Sequence, residues 1–203
     1  MPSTSRKIVV TGPYGAGKTT FAATLAAGQP GASVVTTETG VSDETVVLKA
    51  STTVAMDHTT VDVDPPMNAG WARTRVGLFG TPGQDRFRFM WELLAQNMDG
   101  YVVLVDASRG ASIAQAAEIV TAFSKIAPAA PRLVGVNRWD DPGGTRTRLA
   151  HLLGTAPQAL VACDPRDLGG CTSVLQILLD GVWTLEARRF AATSHGPGEG
   201  VIP

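Results

Sequence analysis

The residues with the clearest chemical potential are Gly12-Pro13-Tyr14-Gly15-Ala16-Gly17-Lys18-Thr19. Their order is G-x-x-x-x-G-K-[ST], in which small residues let successive backbone N–H groups close around an anion at a helix N-terminus. In such a cradle Gly12, Gly15, Ala16 and Gly17 supply close-approaching backbone. Lys18 reaches the β- and γ-phosphates of a nucleotide, and the Thr19 hydroxyl ligates Mg²⁺. Thr20 opens the helix beside it. A glycine-rich turn carrying Lys-Thr by chance would not need a strand before it and a helix after it, and both are in place here. The cradle does not separate ATP from GTP. Tyr14 lies where the loop faces the γ-phosphate and the attacking water. Its ring either crowds that site against an incoming arginine or folds outward and packs.

The base is read further along. Asn137-Arg138-Trp139-Asp140 places Asn and Asp at N-x-x-D spacing after an apolar strand. A carboxylate at Asp140 accepts two N–H bonds from the guanine edge; adenine offers no such pair and would leave it unpaired. Asn137 would hold the cradle and the base together, and the Arg138 plane can cover the ring as a lysine stem would. A plain strand-end turn also favours Asn and Asp. Ala162–Asp167, "ACDPRD", follows the last strand and faces the same base. If Pro165 falls where a backbone N–H should meet guanine O6, Asp164 or Arg166 must make the contact.

These residues need a sheet to hold them. Apolar runs at Lys7–Gly12, Thr74–Gly80, Tyr101–Ser108, Arg132–Asn137 and Ala159–Asp164 read as strands. Helical patterns at Gly17–Gly28, Gln84–Asn97, Ser112–Ala127, Thr145–Leu153 and Thr172–Arg189 separate them. Continuous apolar strands imply burial on both faces, hence helices on both faces of a mostly parallel sheet. Thr53–Asp64 alternates and reads as an antiparallel edge strand. Residues 28–51 read as a long loop with room for a short strand at Ser33–Glu38. The expectation is an α/β P-loop NTPase fold, a three-layer sandwich, over residues 7–190. Residues 1–6 are expected to be flexible and residues 191–203 to form a disordered tail.

Bulk properties agree with one nucleotide-binding domain. At 203 residues a chain buries about 70% of its unfolded surface and needs no staple. A net charge of −1 gives no basic field for nucleic acid. Cys163 and Cys171, the two cysteines, are too few for a disulfide framework and read as reduced thiols of a cytoplasmic protein. The N-terminal stretch lacks a signal-peptide core, Pro2 excludes myristoylation, and no apolar run reaches membrane-span length, so no direct membrane insertion is expected. His58, His151 and His195 are scattered and receive no catalytic or metal role.

The remaining signal is Thr52-Thr53-Val54-Ala55-Met56-Asp57 followed by Phe79-Gly80-Thr81-Pro82-Gly83-Gln84. With the cradle, "NRWD" and "CDPRD", the order resembles the Ras-like small GTPases. The triplet "GPYGAGKTT", "TTVAMDH" and "FGTPGQDRFRFMW" is most similar to their bacterial branch of conservon and gliding-motility GTPases. The resemblance spans Lys7 to about Arg189. It implies that Thr53, or its neighbour Thr52, caps Mg²⁺ in switch I. It implies that the Gly83 N–H meets the γ-phosphate and that Gln84 orients the attacking water. Gly80 stands where most of the superfamily has a magnesium-holding aspartate, which that branch lacks. Losing such an anion weakens Mg²⁺ by about 10–100-fold. Asp57 and Asp106 are acidic neighbours to which the family pattern gives structural roles. No arginine precedes Thr53, as a catalytic one does in the gliding-motility relatives.

These features point to a GTP-binding regulatory protein that turns GTP into GDP slowly and waits for a partner. The resemblance implies a roadblock-type regulatory protein and a membrane sensor-kinase complex as partners, which would put the chain at the membrane only peripherally. Phe87, Met90, Trp91 and Leu94 form one apolar stripe on the helix after Gln84; Phe89 and Leu93 form a second, flanked by Arg86 and Arg88. The second is either a partner surface or a broad core face. Two other readings stay open: a GTP-occupied scaffold without hydrolysis, and a P-loop small-molecule kinase using Arg146 and Arg148 as a lid pair.

Overall fold

The computed structural model describes residues 5–32, 34–41, 52–82 and 89–194. Seven strands form one sheet in the order β2-β3-β4-β1-β5-β6-β7. They are β1 Ser5–Thr11, β2 Val35–Val41, β3 Thr52–Val63, β4 Thr74–Gly80, β5 Gly100–Asp106, β6 Arg132–Asn137 and β7 Leu160–Ala162. The helices are α1 Lys18–Ala27, α2 Phe89–Ala95, α3 Gly110–Ile126, α4 Pro142–Leu152 and α5 Leu168–Ser194.

The sheet is parallel from β4 to β7, and β3 is the one reversed strand, antiparallel to both β2 and β4. The reversal falls on the alternating segment, as its pattern requires. The edge itself is taken by β2, the segment read mostly as loop, which covers β3 from outside. Strand β5 is buried at every position, which only helices on both faces allow. On one face α1 and α5 pack Phe21, Leu25, Val174, Leu175, Leu178 and Leu179 against Ile8, Val10, Val102 and Leu104. On the other, α2, α3 and α4 pack Trp91, Leu94, Ile119, Phe123 and Leu149 against Val9, Tyr101, Val103, Val105, Val134 and Val136.

Several boundaries differ from the sequence reading. Strand β1 begins at Ser5, inside the segment expected to be flexible. Arg6 is buried there, bonded to Asp99 Oδ1 at 3.0 Å and to Glu186 of α5 at 2.5 and 2.7 Å, with its guanidinium over the Trp183 ring. Helix α5 runs to Ser194, past the expected domain end at 190. It starts four residues before Thr172 because the Asp167 carboxylate accepts the N–H groups of Gly169 and Gly170. Helix α2 ends at Ala95 rather than Asn97, which sits in the left-handed region at φ 55°. Leu168–Thr193 is long and apolar enough to cross a membrane, contrary to the reading that no segment is. It passes that test as a core helix, burying Val174, Leu175, Leu178, Leu179 and Val182.

Candidate functional site

The cradle leaves β1 at Thr11 and enters α1 at Lys18. Its glycines are required by shape. Gly12 has φ 145°, and a Cβ there would lie 2.3 Å from Leu104 O. Gly17 has φ 105°, and a Cβ would lie 2.6 Å from Pro165 Cγ. No L side chain fits either place. The second contact joins the phosphate cradle to the loop after β7, so buried Pro165 acts as a buttress.

Lys18 spans the cradle, its Nζ donating to Gly12 O at 2.7 Å and Pro13 O at 2.9 Å. Burial pushes its pKa down to about 8, and the Asp57 charge opposes that shift. At neutral pH the ammonium is still mostly charged, and a phosphate arriving there would restore the polar surroundings that burial removed. Tyr14 is 74% exposed. It stands at the mouth of the loop rather than packing outward on described neighbours.

The Thr19 hydroxyl donates to Asp57 Oδ2. This contact brings β3 onto the start of α1, and it assigns Asp57 a place that the sequence reading did not. Asp57 also lies against Gly80: a Cβ there would lie 3.3 Å from Asp57 Cβ and 3.4 Å from its backbone O, so a larger residue in β4 would press on this part of β3. The donor set is two hard oxygens, Thr19 Oγ1 and Asp57 Oδ2. No group of three His, Cys, Asp or Glu side chains suited to a metal exists among the described residues. Two hard oxygens are ligands Mg²⁺ accepts, since it keeps waters and takes the rest of its ligands from substrate phosphates. Thr53 lies in β3 opposite Gly40, and Thr52 opposite Val41. Gly83 and Gln84 lie outside the described residues, as do Arg86, Phe87 and Arg88.

On the base side, β6 delivers Asn137, which is buried, while Asp140 is exposed in the turn before α4. Arg138 adopts φ 51° and gives Nη1 to Asp106 Oδ2 at 2.5 Å. Its guanidinium is thereby anchored at the end of β5. Asp106 is fully buried and also accepts Ser108 N and Oγ at 3.1 and 2.6 Å and Arg109 Nε at 2.8 Å. Burial alone would raise its carboxyl; the Ser108 and Arg109 bonds and the Arg138 charge outweigh that and hold it below the usual carboxylate range. Asp164 accepts Arg166 N at 3.0 Å, Nε at 3.0 Å and Nη2 at 2.9 Å. A carboxylate has no proton for guanine O6, so of the two side chains beside Pro165 only that of Arg166 can donate, while Asp164 could donate through its backbone N–H. Cys163 and Cys171 are free and buried behind this loop.

Other candidates fall to packing. Arg146 Nη1 donates to Pro157 O at 3.2 Å and Leu160 O at 2.6 Å, and its guanidinium lies over Trp139. It staples α4 to β7 and is not free to close over an acceptor, which removes half of the lid pair a small-molecule kinase would need. Met90, Trp91 and Leu94 are buried and Leu93 is 60% exposed, so the described part of the first stripe on α2 is core.

A strand–cradle–helix unit at the head of a mostly parallel sheet, with site loops at the carboxyl ends of β1, β5, β6 and β7, defines a P-loop nucleotide-binding domain. The family model of the elongation factor Tu GTP binding domain matches residues 3–184. The chain belongs to that family and is a GTP-binding P-loop GTPase of the translational-GTPase type. No curated protein matches the chain.

Proposed function

We propose that this GTPase is a slow guanine-nucleotide switch of the conservon and gliding-motility branch, working in the cytoplasm with protein partners. The observation that carries the reading is the contact of Gly17 with Pro165 together with Lys18 across the cradle. That approach packs the phosphate loop against the loop after β7, so the two are held together.

In this reading the cradle amides and Lys18 hold the β- and γ-phosphates, and Asn137 and Asp140 read guanine. Gln84 orients the attacking water and Gly83 meets the γ-phosphate. Thr19, Thr53 and Asp57 would hold Mg²⁺, which when bound offsets charge on the β- and γ-oxygens. Three features slow the reaction. Tyr14 stands exposed at the mouth. Threonine, not arginine, precedes Thr53. The metal carboxylate comes from β3, a strand that also carries switch I. Without an arginine finger roughly three to five orders of magnitude of rate stay unrealised. A roadblock-type regulator and a membrane sensor-kinase complex are the partners the resemblance suggests; either could supply the missing group.

Single-turnover hydrolysis by the purified chain tests this. A rate below about 1 per minute, raised by a partner, supports the switch; a rate above about 1 per second for the chain alone overturns it. The scaffold reading, in which GTP is held and never cleaved, is favoured by the exposed Tyr14. It predicts that Gln84→Leu leaves turnover unchanged.

A further inference from the structure

Arg109 takes no part in the motifs above, yet its guanidinium lies against the cradle. Nε donates to the buried Asp106 at 2.8 Å and Nη2 reaches Tyr14 O at 3.3 Å. A Cβ placed on Gly15 would lie 3.3 Å from Nη2 and 3.6 Å from Nη1. Gly15 is the middle of the loop whose amides face the phosphates. A cation this close to it lies within a few ångströms of any anion bound there.

The charge count around Asp106 points the same way. Arg109 and Arg138 both pair with this one carboxylate, at 2.8 and 2.5 Å. Two guanidinium groups against one carboxylate leave a surplus positive charge beside the phosphate loop. Arg109 has five N–H donors, and among the described residues the contacts to Asp106 and Tyr14 occupy two of them. The side chain is 47% exposed, so the others are open to a ligand.

We propose that Arg109 is a phosphate-contacting residue of the nucleotide site. It would donate to the phosphate chain of a guanosine di- or triphosphate while Asp106 fixes its direction. The proposal rests on the guanine-nucleotide reading above. The anchor makes the contact strong, because an arginine already held at Nε loses little freedom when it meets a phosphate.

Binding of fluorescent GDP to nucleotide-free wild type, Arg109→Ala and Arg109→Lys tests it, with melting temperatures with and without GDP. The expected result is a Kd raised about 10- to 100-fold in Arg109→Ala, the loss of a charged hydrogen bond. Arg109→Lys should recover part of that loss. The nucleotide-free melting temperature of Arg109→Ala should fall by at most a few degrees, from the lost Asp106 bond, and lysine should recover that fall, while the gain on adding GDP shrinks. Unchanged GDP affinity in Arg109→Ala overturns the proposal. So does a loss matched by a lower nucleotide-free melting temperature that lysine fails to recover, which would make Arg109 a strut for the Tyr14 carbonyl. If wild type itself binds no GDP, the underlying reading falls first, and the wild-type arm shows that directly.

Discussion

The two flanks of the sheet are built differently. Strand β5 is buried at all seven positions, and the cradle, the Asn137 turn and the Pro165 loop hang from it and its parallel neighbours. On the β3–β4 side burial alternates: Thr59, Val61 and Val63 are buried while Thr60 is exposed. The groups assigned to binding sit on the first flank. Thr53 and Asp57, assigned to the metal and the γ-phosphate, sit on the second. A strand packed on both faces cannot shift without breaking two cores, whereas one packed on a single face can slide or twist at lower cost. Under the proposed function, the arrangement would set a fixed receptor for the nucleotide beside a more compliant strand facing its terminal phosphate.

Four variants test that division. The largest effect is expected from Lys18→Ala on the rigid flank, where GDP affinity should fall about 1,000-fold by equilibrium binding, because the phosphates lose a buried cation. Gln84→Leu should leave GDP affinity unchanged and lower single-turnover hydrolysis about 100-fold; an equal loss of affinity would overturn the water-orienting role proposed for it. Asp57→Ala should raise the Mg²⁺ concentration needed for GTP binding about 10–100-fold, measured by titration of metal into chelated protein. No change there would return Asp57 to a structural role. Asp106→Asn should lower the melting temperature by a few degrees near neutral pH, since it leaves two guanidinium groups without their carboxylate. Asp106 has a folded pKa below its unfolded one, so its stabilisation is full above about pH 4 and disappears as pH falls through the folded value. Melting curves of the two proteins should therefore converge in acid.

Strand type was legible on both flanks: Thr74–Gly80 is a strand as read, and the alternating Thr53–Asp64 segment is the reversed one. The segments read as strands at Tyr101–Ser108 and Arg132–Asn137 carry apolar runs, Tyr101–Val105 and Leu133–Val136, and that pattern states both their type and their burial. The cradle's glycines could be read from spacing because geometry admits nothing else. Three features were not legible, for physical reasons. The position of Asp57 depends on the register of β3 on β4, in which His58 lies opposite Phe79, and register is a tertiary property. The start of α4 at Pro142 was obscured by Gly143 and Gly144, which suggest a turn. The Asp141 carboxylate accepts Gly144 N at 2.9 Å and makes them the first helical turn. Arg109 follows the end of a strand and belongs to no recurring spacing; only the fold brings it to Gly15.

The ion pair of Arg6 has a practical consequence for anyone cutting this chain. The family match ends at residue 184, two positions short of Glu186, whose carboxylate clamps the buried guanidinium. A fragment trimmed at that boundary would keep every residue proposed to face the nucleotide and would leave the buried guanidinium, at the opposite end of the sheet, with Asp99 as its one remaining carboxylate among the described residues.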